Sequence, residues 1–310
     1  MNYTLHQLRV FYEVVQYRSI TRAAEALHLS QPAVSIQLRN FQQQFDAPLT
    51  ELVNRRLYIT DLGREVAELA RQILDSADLL EHRASTKGEE LTGRLTISVV
   101  STGKYVMPYF LRPFLAQHPR VRLSLDVTNR QRVVESLRAN EVDFSLVSIL
   151  PERLSLHSLT LLPNILFLVG HPEVDCGPNA DLSTVLEQRP LIFREVGSGT
   201  RQVTEQYLYQ RGLPLSPQLE LVSNEAVKQA VMAGLGVSIM PLIGIRNELE
   251  LGQLSILPVP GLPVRTEWQI TWLQDKTLTP TAAAFLEYLR LRGEEIVAQS
   301  FAYLAAYPPE

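Results

Sequence analysis

The stretch Ser19-Ile20-Thr21-Arg22-Ala23-Ala24-Glu25-Ala26-Leu27-His28-Leu29-Ser30-Gln31-Pro32-Ala33-Val34-Ser35 decides how the chain begins. Ala23, Ala24, Ala26 and Leu27 have the size and spacing of a short, closely packed helix. His28-Leu29 reads as a tight turn. Ser30 is a good N-cap, and Pro32 falls in a first helical turn, where its missing N–H costs nothing. A second helix is expected to run to about Phe45, with Val34, Leu38, Phe41 and Phe45 on its inner face. Two helices joined by so short a turn read as helix-turn-helix.

Upstream, Leu5, Leu8, Phe11, Val14 and Val15 recur at helical spacing and place another helix over 4–16. Downstream, Leu52-Val53 and Leu57-Tyr58-Ile59-Thr60 flank the polar tip Asn54-Arg55-Arg56, the pattern of a hairpin wing. Residues 1–60 hold six arginines against four acidic residues, a net +2, on a chain of net −4. A mildly basic head on an acidic body fits binding to a double-stranded DNA operator. The head has no lysine, so phosphate contacts fall to arginines, backbone N–H groups and polar side chains. Gln31 and Ser35, four apart, project from the exposed side of the second helix. Gln31 suits adenine, Pro32 a thymine methyl, and Arg39 a phosphate. The expected DNA contacts are therefore Ser30, Gln31, Pro32, Ser35, Gln37 and Arg39, with Arg55 and Arg56 on the wing.

From Asp61 to Lys87 the chain has no proline and one glycine, Gly63. Val66, Leu69, Ile73, Ser76, Leu80 and Arg83 step alternately by three and four, a heptad-like seam on one long helix. The stripe is too narrow for a globular core, so pairing with another chain is expected. Lys87-Gly88-Glu89-Glu90 reads as the hinge that ends the helix.

Beyond Gly93 the texture changes. Short apolar runs at 95–100, 121–127, 144–147, 165–169, 191–193, 219–222, 237–240 and 267–272 alternate with helical stretches near 105–117, 130–139, 200–212, 224–233 and 280–292. That alternation predicts parallel sheets covered by helices, in two lobes. Trp268 and Trp272 share one strand face and are expected in the core. The chain after Gly293 is expected as a further helix or an extension.

Three segments follow strands and precede helices, where N–H groups and the helix dipole favour anions. They are Ser101-Thr102-Gly103-Lys104, Asn129-Arg130 and Gly197-Ser198-Gly199-Thr200-Arg201. The glycines of the last let backbone amides converge, and Thr200 and Arg201 add a hydroxyl and a guanidinium suited to phosphate or carboxylate. No Lys-Ser/Thr follows, so this is no P-loop. The expected effector-binding residues are Ser101, Thr102, Lys104, Asn129, Arg130, Gly197, Ser198, Gly199, Thr200 and Arg201.

The composition excludes several classes. The chain has 310 residues, 45% hydrophobic and 20% charged, an ordinary globular mixture. Its one cysteine, Cys176, forms no internal disulfide, which points to a reducing compartment. No apolar run reaches the ~18 residues of a membrane span. Met1 to Val10 is polar and carries no signal-peptide core, so a cytoplasmic protein is expected. The six histidines are scattered without zinc-ligand spacing. No Gly-x-Ser-x-Gly elbow is present. Neither catalysis, a metal nor a cofactor is expected. The rival classes are a two-lobed enzyme, which needs an acid–base pair or cofactor loop, and a solute-binding protein, which the first 90 residues oppose.

The segment 19–35, continued through Gln37-Leu38 and the wing 54–60, closely resembles the LysR-type transcriptional regulators. The resemblance extends over the long helix and the body. It implies an α+β chain with a winged helix-turn-helix at 1–60, a linker and dimerisation helix at 61–88, and a two-lobed α/β effector domain at 91–310, similar to type 2 periplasmic binding proteins. Lobe I would take 91–163 and 270–300, and lobe II 165–266. The three anion segments resemble, more loosely, the CbbR-like carbon-fixation regulators. That implies a small anionic effector: a sugar phosphate, phosphoglycolate, 2-oxoglutarate or an NADP-like nicotinamide phosphate. It also implies a homodimer or homotetramer that bends DNA and contacts RNA polymerase, with a carboxylate-responsive regulator of another operon as the alternative. Three positions depart from the pattern: Thr50 and Leu52 replace an aromatic packing residue and a basic contact before the wing, and Asp46 stands where a glycine closes the recognition helix.

Overall fold

A computed structural model describes residues 3–53, 56–84, 91–174, 181–214 and 219–306. It divides into two compact units, Met1–Glu89 and Glu90–Glu310.

In the first unit, α1 (Leu5–Tyr17) starts with a capping box between Thr4 and Gln7. Ser19 caps α2 (Ile20–Ala26) by accepting from the Arg22 N–H. The expected turn forms at His28, whose φ of 54° is left-handed. Ser30 then caps α3 (Gln31–Gln42), with Pro32 in its first turn. The helix stops at Gln42, short of Phe45. The N–H groups of Gln44 and Phe45 donate to the carbonyls of Phe41 and Gln42, tightening the end into a 3-10 turn. Asp46 is therefore never asked for a left-handed conformation. Strands β1 (Thr50–Val53) and β2 (Arg56–Ile59) pair antiparallel as the wing. Phe11, Val14, Val34, Leu38, Phe41 and Leu49 form the core.

Helix α4 (Asp61–Ala84) corrects the single-seam expectation. Val66, Ala67, Ala70 and Leu74 are buried in the head core, so the helix belongs to that core along this stripe. Leu69 and Ile73 remain 58% and 39% exposed on another stripe, and Ser76 is exposed. The side chains of Leu80 and Arg83 and the expected hinge 87–90 lie outside the described residues. Gly63 allows α4 to leave the wing, because a Cβ there would meet the Leu49 carbonyl oxygen at 2.0 Å.

The second unit is built on one curled sheet of seven strands. Its strands are β3 (Gly93–Val100), β4 (Val121–Thr128), β5 (Phe144–Val147), β6 (Leu156–Gly170), β9 (Ser238–Pro241), β10 (Ser255–Ile256) and β11 (Val264–Leu273). A separate parallel pair joins β7 (Ile192–Arg194) to β8 (Leu219–Leu221). The expectation of parallel sheets holds for β3 with β4 and β5, but β11 and β9 pair antiparallel with β6, so the sheet is mixed. The apolar signal marked only 165–169 of β6, because the earlier part of that strand is half-solvated. The two long strands β6 and β11 run through both lobes. Lobe I packs α5 (Met107–Gln117), α6 (Arg130–Arg138) and α11 (Pro280–Ser300) around Phe110, Phe114, Phe144, Trp268 and Phe285. Trp268 and Trp272 are buried as expected. In lobe II, α7 (Leu182–Gln188) and α8 (Gly199–Gln210) pack around Leu166, Leu168, Phe193 and Ile239, whereas Val227 and Val231 of α9 (Asn224–Met232) and Leu249 of α10 (Arg246–Glu250) join the larger cluster that includes the lobe I core. The chain end is helical: α11 continues to Ser300, and a 3-10 turn at Ala302–Ala306 seats Phe301 and Leu304 in the lobe I core. Cys176 lies outside the described residues.

Candidate functional site

In the head, burial sorts the faces of α3. Val34, Leu38 and Phe41 fill the inner stripe. Gln31, Pro32, Ile36, Arg39 and Asn40 are exposed, while Ser35 and Gln37 are half-buried on its flanks. Sequence reasoning missed Ile36, which is 55% exposed. An apolar residue on the solvent side of a helical pattern was the available signal. Ser30 spends its hydroxyl on the cap. Arg56 is exposed on β2, and Arg55 lies outside the described residues.

The wing is anchored by a residue that departs from the family pattern. The Thr50 N–H and hydroxyl both donate to Gln42 Oε1, each at 2.8 Å. Thr60 donates through its hydroxyl to the Pro48 carbonyl at 2.8 Å and accepts from the Gly63 N–H at 2.9 Å. A polar clamp thus ties the wing to α3 where an aromatic side chain was absent. Leu52 is 70% exposed.

In the body, strand ends of the two lobes meet at a cleft. Its walls include Ser101, Thr102, Asn129, Arg130 and Ser148 from lobe I, and Arg194, Ser198, Gly199 and Thr200 from lobe II. A contiguous cavity of about 150 Å³ adds Gly197 and Arg201. The N-termini of α6 and α8 both contribute to this lining, so two positive dipole ends are available to an anion. Asn129 Oδ1 caps α6 by accepting from the Arg132 N–H at 2.9 Å. Ser198 precedes α8 but makes no side-chain cap bond. Gly197 sits at φ 88°, in the left-handed region, and a Cβ there would lie 3.4 Å from Gln131 across the cleft.

The cations of the cleft differ in how they are matched. Arg201 Nε donates to Glu205 at 2.6 Å, and its Nη1 donates to Glu220 and to the Arg194 carbonyl. These bonds, outweighing the opposing effect of burial, hold its pKa up. Arg194, which sequence reasoning missed, is buried. It donates to both Glu195 oxygens at 2.7 and 2.9 Å, and across the lobes to Ser101 Oγ at 3.1 Å. Its signal was a lone arginine ending an apolar strand, the strand-end rule that also picks out Ser148. Arg130 is the unmatched cation. Its Nε is buried with no hydrogen-bond partner, and burial lowers its pKa despite the Glu152 charge. Lys104 does not line these cavities. It lies at the far end of the 3-10 turn Ser101–Tyr105, in a different cavity. Among the described residues no group of three or more His, Cys, Asp or Glu side chains could hold a metal ion, and no helix is long and apolar enough to cross a membrane.

Comparison with known proteins agrees with both halves. Residues 5–64 match the model of the bacterial regulatory helix-turn-helix protein, lysR family, and residues 88–293 match the LysR substrate binding domain. The RuBisCO operon transcriptional regulator of Allochromatium vinosum is 37% identical over 93% of this chain and 96% of its own. The HTH-type transcriptional activator CmpR of Synechocystis is 34% identical, over 97% of this chain and 99% of its own. The Synechocystis CcmR regulatory domain, solved in complex with 2-PG, superposes with a TM-score of 0.62 and 30% identity, covering 66% of this chain and 98% of that one. A helix-turn-helix head, a two-lobed body and these matches place the chain in the LysR family of DNA-binding transcriptional regulators, not among enzymes.

Proposed function

We propose that this regulator controls carbon-fixation genes in response to a small anion held between the lobes. The observation that carries the anion reading is Arg130, half-buried at the cleft, whose Nε is enclosed without a hydrogen-bond partner where two helix N-termini contribute. A guanidinium N–H withdrawn from water without a partner is costly, and an anionic ligand that accepts from it removes that cost. The Synechocystis CcmR regulatory domain, solved in complex with 2-PG, supports that ligand class, and relatives named RuBisCO operon transcriptional regulator support the choice of regulon. We take 2-phosphoglycolate as the first candidate, ahead of sugar phosphates, 2-oxoglutarate and NADP-like ligands. Arg130, Ser198 and the amides of 198–200 bind it, Ser101, Thr102, Ser148 and Asn129 complete the wall, and Arg194 and Arg201 hold the wall in shape.

The same reading gives the DNA side. Gln31, Pro32, Ile36 and Ser35 face base edges, and Arg39 and Arg56 face phosphates. Leu69 and Ile73 on α4 pair with a second copy, so two heads meet half-sites about one DNA turn apart. Effector domains pair into a tetramer, and effector closure of the lobes alters DNA bending and RNA polymerase contact in the cytoplasm. The effector must bind the two arrangements unequally.

Calorimetric titration with 2-phosphoglycolate tests this. Saturable binding that weakens about tenfold or more in Arg130→Gln is expected for loss of a charge-assisted contact. Binding unaltered by that substitution would remove the cleft assignment.

A further inference from the structure

The 3-10 turn Ser101–Tyr105 serves two cavities. Its first residues line the anion cleft, and its last two, Lys104 and Tyr105, line a second cavity of about 240 Å³. This cavity is closed by α10 on one side and by Phe301 and Tyr303 of the chain end on the other. We propose that it is a second ligand site, which takes a flat ring bearing one anionic group, of the size of a mononucleotide.

Four aromatic side chains, Tyr105, Tyr109, Phe301 and Tyr303, stand in the lining among charged and polar groups. Flat rings pack against such faces at little entropic cost. The cations divide into matched and unmatched. Lys228 Nζ is held 3.1 Å from Glu225 and 2.7 Å from Glu248, and Arg246 Nε donates to Glu250 at 2.7 Å. Lys104 has no carboxylate partner among the described residues; its Nζ lies 5.0 Å from the Tyr105 ring centroid. Lys104 is thus the cation of this lining whose ammonium is not engaged by a carboxylate among the described residues and can meet an anionic group of a ligand. Arg246 stacks its guanidinium 4.2 Å over the Tyr303 ring, leaving a flat cationic surface beside the tyrosines.

The site is built from both lobes. Lys104 and Tyr105 come from lobe I, Lys228 and Arg246 from lobe II, and the Tyr105 hydroxyl donates to Glu225 at 3.3 Å across the boundary. Gly244 keeps the wall close, because a Cβ there would lie 2.8 Å from Asn224 Nδ2 and 3.2 Å from the Tyr105 ring. The volume lies just below the usual range of about 300–1,000 Å³ for small-molecule sites. A single ring system with its charged group at the mouth suits it; a dinucleotide does not.

The test is calorimetric titration of the full chain with adenosine 5′-monophosphate, with ribose 5-phosphate as the ring-free control. Saturable binding of the nucleotide at or below about 1 mM is expected, with a loss of about fivefold or more in both Lys104→Ala and Arg246→Gln. Both positions are partly exposed, so neither substitution removes core packing. In Arg130→Gln the nucleotide affinity is expected to stay unchanged. Three results would overturn the proposal: no saturable nucleotide binding, equal binding of ribose 5-phosphate, or a loss in Arg130→Gln with none in Lys104→Ala. Failure of 2-phosphoglycolate to bind bears on the cleft alone and leaves this assignment standing.

Discussion

The clamp between Thr50 and Gln42 gives the sharpest test of how this head is held together. Gln42→Ala removes the oxygen that accepts both the Thr50 N–H and its hydroxyl, each at 2.8 Å. Each bond contributes a net ~0.5–1.5 kcal/mol, so the substitution costs about 1–3 kcal/mol in head stability. Thr50→Val removes only the hydroxyl bond and costs about 1 kcal/mol. The double variant costs less than the two singles combined, because the hydroxyl bond can be lost only once. A coupling of about 1 kcal/mol is expected from the cycle. Urea unfolding of the full chain supplies the four values, and anisotropy on an operator selected from random DNA follows the wing. Operator affinity falls as the wing loosens from α3, while effector titrations are unaffected. Additive single effects would refute the reasoning, since they would mean that the two residues do not share a bond that contributes to stability.

Four further outcomes follow from other contacts. Arg39→Ala weakens binding to operator and random DNA alike and lowers the salt slope by about 1, whereas Gln31→Ala costs ~1–3 kcal/mol on the operator alone; salt-dependent anisotropy separates the two. Gly63→Ala drives a methyl into the Leu49 carbonyl and destabilises the head by about 1–3 kcal/mol, read as a fall in Tm. Gly197→Ala places a side chain in the left-handed region at a cost of roughly 1–2 kcal/mol, and 2-phosphoglycolate affinity drops with the distorted loop. Burial pushes the Tyr303 hydroxyl from 10.0 up to about 12, although Arg246 opposes the shift. The folded state therefore holds this proton longer than the unfolded one, so its contribution is complete below pH 10 and is lost as pH rises towards about 12. Tyr303→Phe flattens that alkaline limb of the stability curve.

The head was legible because its signals are local. Ser19, Ser30 and Pro32 act within one helical turn, and the turn at His28 needs no distant partner. The body was legible as alternating elements, but strand direction was not, since pairing of β11 with β5 and β6 joins residues about a hundred or more positions apart. Helix α4 carries two apolar stripes, and the heptad spacing, which began at the buried Val66, then followed the exposed one through Leu69 and Ile73. In the body, the strand-end rule located loops that the fold brings together at one cleft. It could not say that Arg201 is engaged by Glu205 and Glu220, that Arg130 is not engaged at Nε, or that Lys104 turns to another cavity. Those facts depend on side-chain direction and on carboxylates distant in sequence.

The passage of β6 and β11 through both lobes has a consequence for how much the body can move. The lobes are joined by paired strands, Val264–Leu273 lying against Leu156–Leu166, with a single register shift at Trp268/Gln269. Paired strands resist bending in the plane of their hydrogen bonds and yield by twisting. A ligand signal therefore leaves the cleft as a small torsion along a two-strand shaft and not as a wide opening. Cutting one strand of that shaft leaves the lobes joined by the other. A protease that nicks the exposed turn at Gly252 and Gln253 would give two fragments that still copurify, since the β6–β11 ladder keeps both fragments on one sheet.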